Sequence, residues 1–316
     1  MGETGPLIHI GYHKSGTTWL QRYLFQDAAS GFAWDGKRTD SPVHRLVSAR
    51  PLEFRAAEAA AEFARPQAKA RKRGLVPVVS LERLSGHPFS GGYDSKEIAQ
   101  RLFEVFPDGR VLMVVREQKA MLLSTYKQYV KAGGAMPLPR FLDPPVYRRP
   151  RIPPFDLRHF EYHRLLACYG ELFGRERVLA LPYERLARDG LGMVAAIAAF
   201  AGARPAPGAL EALPFAARVN TATSAPAVML QRVVNRLFVT SDVNPMPLAP
   251  WKGAAGLRRK VAELGGRAPL AMQDRLESRL REQVARAAQG RFGESNRILG
   301  EMMGVDLAAF GYEVAA

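Results

Sequence analysis

Cysteine is nearly absent: the 316 residues contain one, Cys168. A single thiol closes no internal disulfide, and with only 6 histidines it assembles no recognisable Cys/His zinc cluster. A reducing, cytoplasmic setting is the expectation. Cys168 itself sits in the apolar stretch Leu165-Leu166-Ala167 and reads as a small buried hydrophobe. Long hydrophobic runs are also missing, since no stretch reaches the roughly 18 to 20 uncharged residues of a spanning helix. The longest apolar segment, Val228 to Val239, is interrupted by Gln231, Arg232, Asn235 and Arg236. It reads as an amphipathic helix packed on a core, with peripheral membrane contact as the alternative. The opening MGETGPLIHIGYHKSG lacks the pattern of a secretory signal. Acidic residues are the minority, 30 against 45 basic, for a net charge of +15. An anionic ligand, a nucleic acid or a lipid surface could answer that charge, which does not choose among them.

With 47% hydrophobic residues the chain has ample material for a core. Four short apolar runs stand out: Leu7 to Ile10, Val76 to Leu81, Val111 to Val115 and Val178 to Leu181. Their lack of alternation suits strands covered on both faces, and the segments between them are helical in character. The expected fold is α/β: a P-loop-like central parallel sheet flanked by helices, with a mostly helical C-terminal part, in a single domain spanning 1–316. Helices are expected over Thr17 to Gln26, Glu53 to Lys72, Ser95 to Phe106 and Gln118 to Lys131. Further helices are expected over Leu157 to Phe173, Leu191 to Gly202, Ala227 to Phe238, Gln273 to Gln289 and Glu294 to Met303. The proline-rich passage Met136 to Phe155 reads as an irregular, substrate-shaping loop, and Asn244 to Gly256 as a hinge or flexible loop.

The first apolar run ends in Gly11-Tyr12-His13-Lys14-Ser15-Gly16-Thr17-Thr18-Trp19-Leu20. Strand, glycine-bounded loop and helix in that order form a phosphate cradle: backbone N–H groups and the positive helix end converge on one oxyanion. Lys14 adds a full charge, and Ser15, Thr17 and Thr18 add hydroxyl donors. The spacing is near that of GxxxxGK[ST]. However, Thr17 stands where that motif has its lysine, and the third apolar run ends in Arg116 rather than a magnesium-binding aspartate. A metal-dependent triphosphatase is therefore disfavoured.

His13-Lys14-Ser15-Gly16-Thr17-Thr18-Trp19 resembles the KSGTTW loop of sulfotransferases that use 3′-phosphoadenosine 5′-phosphosulfate (PAPS). The resemblance implies that Lys14 contacts the bridging oxygen, that Thr17 and Thr18 hold the 5′-phosphate within the loop of Ser15 and Gly16, and that Trp19 lies against adenine. His13 replaces the usual proline. A second match supports the first. Arg116 at a strand end, with Ser124 eight residues later, is similar to the family's pair for the 3′-phosphate. A guanidinium offers a planar fork, and a donor with phosphates at both ends of an adenosine requires two separated anion sites. Weaker echoes follow in Pro182-Tyr183-Glu184-Arg185-Leu186, in Val219-Asn220, in Ser295-Asn296-Arg297 and in Gly311-Tyr312. Trp251-Lys252-Gly253 only faintly matches the C-terminal segment of animal-type members.

An attacking hydroxyl or amine must lose a proton, so a base is needed. Glu82, at the C-terminal end of the second apolar run, is the first choice and His13 the second. The competing reading of Glu82 is an ion pair with Arg83 or Arg45. By resemblance, Glu82 in place of a histidine leans towards a carbohydrate or glycolipid acceptor. The expected reaction is in-line sulfuryl transfer without a metal and with no nucleic-acid partner. A nucleotide-dependent kinase and a non-enzymatic basic nucleic-acid binder remain as alternatives.

Overall fold

The computed structural model describes residues 5–34, 36, 41–145, 153–217 and 223–315. Five strands, β1 Leu7–His9, β2 Phe32–Ala33, β3 Val76–Ser80, β4 Arg110–Val115 and β5 Val178–Pro182, make one sheet in the order β2-β3-β1-β4-β5. All pairings are parallel, and Ile8 of β1 lies opposite both Val79 and Val111. The four apolar runs are thus four of the five strands.

The strands read as unbroken apolar runs because helices cover both faces. Alternate residues of β4 feed two cores: Val111, Met113 and Val115 one, Leu112 and Val114 the other. The helices are α1 Thr17–Trp19, α2 Val43–Ser48, α3 Ala56–Lys72, α4 Ser95–Val105, α5 Gln118–Lys131, α6 Leu138–Leu142 and α7 Tyr162–Phe173. They continue as α8 Arg185–Arg188, α9 Gly190–Ala201, α10 Ala225–Phe238, α11 Ala254–Gly266, α12 Leu270–Ala288 and α13 Gly293–Met303. Leu102 of α4 and Tyr169 of α7 belong to the first core, and Ile197 of α9 to the second.

Several expectations are corrected. Strand β2 has only two residues, too few to leave a pattern. The helix expected over Thr17 to Gln26 is α-helical only to Trp19 and then widens into a π-helix over Leu20–Phe25. Within the passage expected to be irregular, α6 forms because Pro139 sits in the first turn, where its missing N–H costs no bond. Part of that passage, 146–152, lies outside the described residues, as does Val219-Asn220. The stretch read as a hinge is tied down: Leu248, Ala249 and Trp251 donate backbone N–H groups to the carbonyls of Arg236, Leu237 and Phe238 at the end of α10. It then runs into α11, which the pattern did not announce. Among the described residues no helix is long and apolar enough to cross a membrane.

Candidate active site

The lysine loop springs from the C-terminal end of the central strand β1, the edge where open α/β sheets hold their ligands. Two residues of it adopt left-handed backbone, Lys14 at φ 69° and Gly16 at φ 80°. A non-glycine residue there is held against its preference, and such turns aim successive N–H groups into one concavity. Close packing accounts for both glycines. A Cβ on Gly16 would lie 2.6 Å from the Tyr183 ring, and one on Gly11 would lie 2.6 Å from Nε2 of His9 and 2.8 Å from Oγ1 of Thr17. Beneath the loop, His9 Nδ1 and Ser80 Oγ share a hydrogen bond of 2.8 Å, and Gln21 Nε2 donates to the same hydroxyl at 2.9 Å.

The loop residues have separate placements. The Lys14 side chain is exposed. Ser15 is fully buried and its hydroxyl donates to the Tyr12 carbonyl at 2.7 Å, so it closes the turn. Thr17 is buried with no hydrogen-bond partner for its Oγ1, a donor held beside the loop glycine Gly11. Thr18 is half-buried. Trp19 is buried in the second core, its ring stacked on Phe215 at 5.6 Å and its Nε1 donating to the Pro214 carbonyl at 3.2 Å.

Arg116 leaves the end of β4 and turns back on this loop. Its Nη1 donates to the Lys14 carbonyl at 3.0 Å, and its guanidinium lies 5.3 Å from the centre of the Tyr183 ring. Tyr183 thus backs both Gly16 and Arg116, a role the sequence signalled only through the weak Pro182-Tyr183-Glu184 echo. Ser124 is half-buried about two turns along α5, which begins immediately after Arg116 and Glu117.

The other echoes converge on the start of α5. Glu184 accepts from the Glu117 backbone N–H at 3.0 Å and from the Tyr312 hydroxyl at 3.0 Å. Gln118 and Asn296 exchange side-chain bonds of 2.6 and 3.1 Å, and Tyr162 donates to the Arg116 carbonyl at 2.8 Å. These residues do not reach the loop. They set the strand-to-helix corner that aims Arg116.

On the other side of Lys14 lies a polar cluster. His13 is half-buried, its Nδ1 3.3 Å from Nε2 of Gln128 and its Nε2 without a partner. Burial pulls its pKa down to about 4; Glu82 opposes that shift, and Arg83, His87 and Lys14 reinforce it. The two candidate bases therefore share one electrostatic neighbourhood. Glu82 opens a short 3-10 turn over Glu82–Ser85, directly past β3. Of the two arginines in the competing reading, Arg83 pairs with Asp94, and Arg45 with both Glu58 and Glu62. His159, buried behind His13, is lowered to about 3 by burial first and then by His13. His87 is lowered by burial and by Arg83, against the pull of Asp94 and Asp242.

Cys168 is half-buried and burial pushes its thiol up. A cavity of about 390 Å³ between α7, β5 and the end of α13 contains none of these groups. Among the described residues no group of three or more His, Cys, Asp or Glu could hold a metal ion.

A sulfotransferase from Alicyclobacillus acidocaldarius is 18% identical with a TM-score of 0.43, over 70% of this chain and 87% of that one. The sulfotransferase domain from the curacin biosynthetic pathway is 11% identical with a TM-score of 0.41, over 100% of both chains. No curated protein sequence matches the chain. A family profile described as a sulfotransferase domain matches residues 5–221, more than half of the sequence and the whole span from the lysine loop through Arg116 to Tyr183. The chain belongs to the sulfotransferase domain family.

Proposed function

We propose that this sulfotransferase takes its sulfuryl group from PAPS and delivers it to a hydroxyl or amine of a carbohydrate or glycolipid acceptor. The observation that carries the reading is the 3.0 Å bond from Arg116 to the Lys14 carbonyl, which joins the lysine loop and the arginine corner in one site. The residues present suit a doubly anionic adenosine. The loop offers left-handed backbone at Lys14 and Gly16 and an unpartnered buried hydroxyl on Thr17, and the corner offers a guanidinium.

When bound, the donor supplies an activated sulfur whose leaving group is a phosphate. Lys14 stabilises the negative charge that grows on the bridging oxygen as that bond breaks. Thr17, Thr18 and the loop N–H groups hold the 5′-phosphate, and Arg116 with Ser124 holds the 3′-phosphate. Glu82 takes the acceptor's proton as the acceptor oxygen or nitrogen bonds to sulfur. His13, whose pKa burial lowers, is an electrostatic neighbour of Glu82 in this role. The residues need no metal for these tasks.

Thermal shift tests the donor. The spent donor, 3′-phosphoadenosine 5′-phosphate, should raise Tm without magnesium, as mass action requires of a ligand bound by the native state alone, and ATP with magnesium should do little. The reverse ranking would favour a nucleotide-dependent kinase.

A further inference from the structure

Eight of the twelve large hydrophobic side chains that stand exposed among the described residues fall between Leu230 and Met272, in α10, α11, the link between them and the start of α12. Three of them, Leu230, Val233 and Leu264, lie on the helix pair α10 and α11. Gly265 of α11 packs against Ala227 of α10, so the end of α11 lies beside the start of α10 and the two run antiparallel. At 100° per residue, Leu230, Val233 and Leu237 turn to one side of that contact, and Leu257, Val261 and Leu264 turn to the same side from α11. The link joins this surface at its end: Met246 is 88%, Leu248 71% and Trp251 56% exposed, with Trp251 edge-on to Phe238.

Charge names the partner. The segment 225–275 holds eight basic residues and three acidic ones. Arg236 and Lys260 fall at the outer margins of the apolar side on the same helical wheel, and exposed Lys252 follows Trp251. A second copy placed on a two-fold axis would set these cations against themselves. An anionic bilayer complements both features, accepting Leu, Met and Trp at the acyl boundary and the cations at the headgroups.

We propose that the outer side of the α10–α11 pair, with the link from Met246 to Trp251, docks the enzyme on an anionic lipid surface. It lies outside the segment matched by the family profile, which ends at residue 221. The proposal concerns the surface alone and stands whichever acceptor is sulfated.

Vesicle co-sedimentation of the full chain tests it, using phosphatidylcholine alone and phosphatidylcholine with about one third phosphatidylglycerol. Binding should be at least about tenfold tighter to the anionic vesicles and should weaken as salt is raised. Leu248→Glu with Trp251→Glu should reduce it about tenfold or more with Tm lowered only slightly, since both side chains are more than half exposed. Arg236→Glu with Lys260→Glu should erase the preference for anionic lipid. Equal binding to both vesicles, or undiminished binding of the Leu248→Glu, Trp251→Glu protein, overturns the proposal. So does a dimer that this variant dissolves, or oligonucleotide binding, in a protein that ignores vesicles.

Discussion

The Arg116 guanidinium and the Lys14 carbonyl are hydrogen-bonded across 102 residues of chain. One bond thereby couples the arginine corner at the end of β4 to the left-handed turn at the end of β1, and the two strands are direct neighbours in the sheet. The consequences for catalysis can be separated because the proposed function gives the two side chains different tasks.

Lys14→Ala should lower kcat by about 100- to 1,000-fold, the usual effect of losing one preorganised charge at a departing oxyanion. Donor affinity should change far less, because the loop backbone remains. Steady-state kinetics with the donor varied would show this, and an equal loss of affinity would move Lys14 from catalysis to binding.

Arg116→Ala should weaken 3′-phosphoadenosine 5′-phosphate by about ten- to a hundredfold, the scale of a lost charge-assisted bond to phosphate. It should scarcely affect adenosine 5′-phosphate. Calorimetry with the two ligands reads the difference directly. If the variant loses affinity for both alike, Arg116 serves the loop and not the 3′-phosphate.

Glu82→Gln should abolish transfer while leaving affinity for the spent donor near normal, because the amide keeps the shape and removes the proton acceptor. His13→Asn should retain measurable turnover. Reversal of these two results would exchange the roles of neighbouring groups that already share one electrostatic environment.

The buried histidines make folding stability depend on pH. The folded pKa values of His13 and His159 fall to about 4 and about 3, from an unfolded value near 6.5. Below pH 6.5 the unfolded chain binds protons that the native state refuses, so stability is complete above that pH and declines as pH falls towards 4. The slope is about 1.4 kcal/mol per pH unit for each such histidine. Urea unfolding at pH 7.5 and pH 5 should show the loss, and His159→Gln should reduce it. Identical midpoints in the two buffers would mean that these imidazoles are not held neutral.

Much of the site was legible because its elements are local. Lys14, Gly16 and Thr17 fall within four residues between a strand and a helix, so spacing alone singles out the loop. Arg116 was legible for a similar reason, standing at the end of the apolar run that becomes β4. Ser15 and Trp19 were read as contacts of the donor. The fold gives Ser15's hydroxyl to Tyr12 and Trp19's ring to Phe215, an assignment no spacing rule contains. Tyr183 was quoted only as part of an echo, because its contacts with Gly16 and Arg116 cross the sheet.

The sequence by itself determined the parallel sheet, since unbroken Val and Leu runs separated by helical segments admit few other arrangements. It also determined the strand–loop–helix order around the lysine loop, since consecutive residues carry it. Only the tertiary structure decided that Arg116 reaches that loop, that Glu82 and His13 share one polar cluster, and that α11 completes an apolar surface. Those relations depend on strand order and helix docking, which bring together residues that no local periodicity connects.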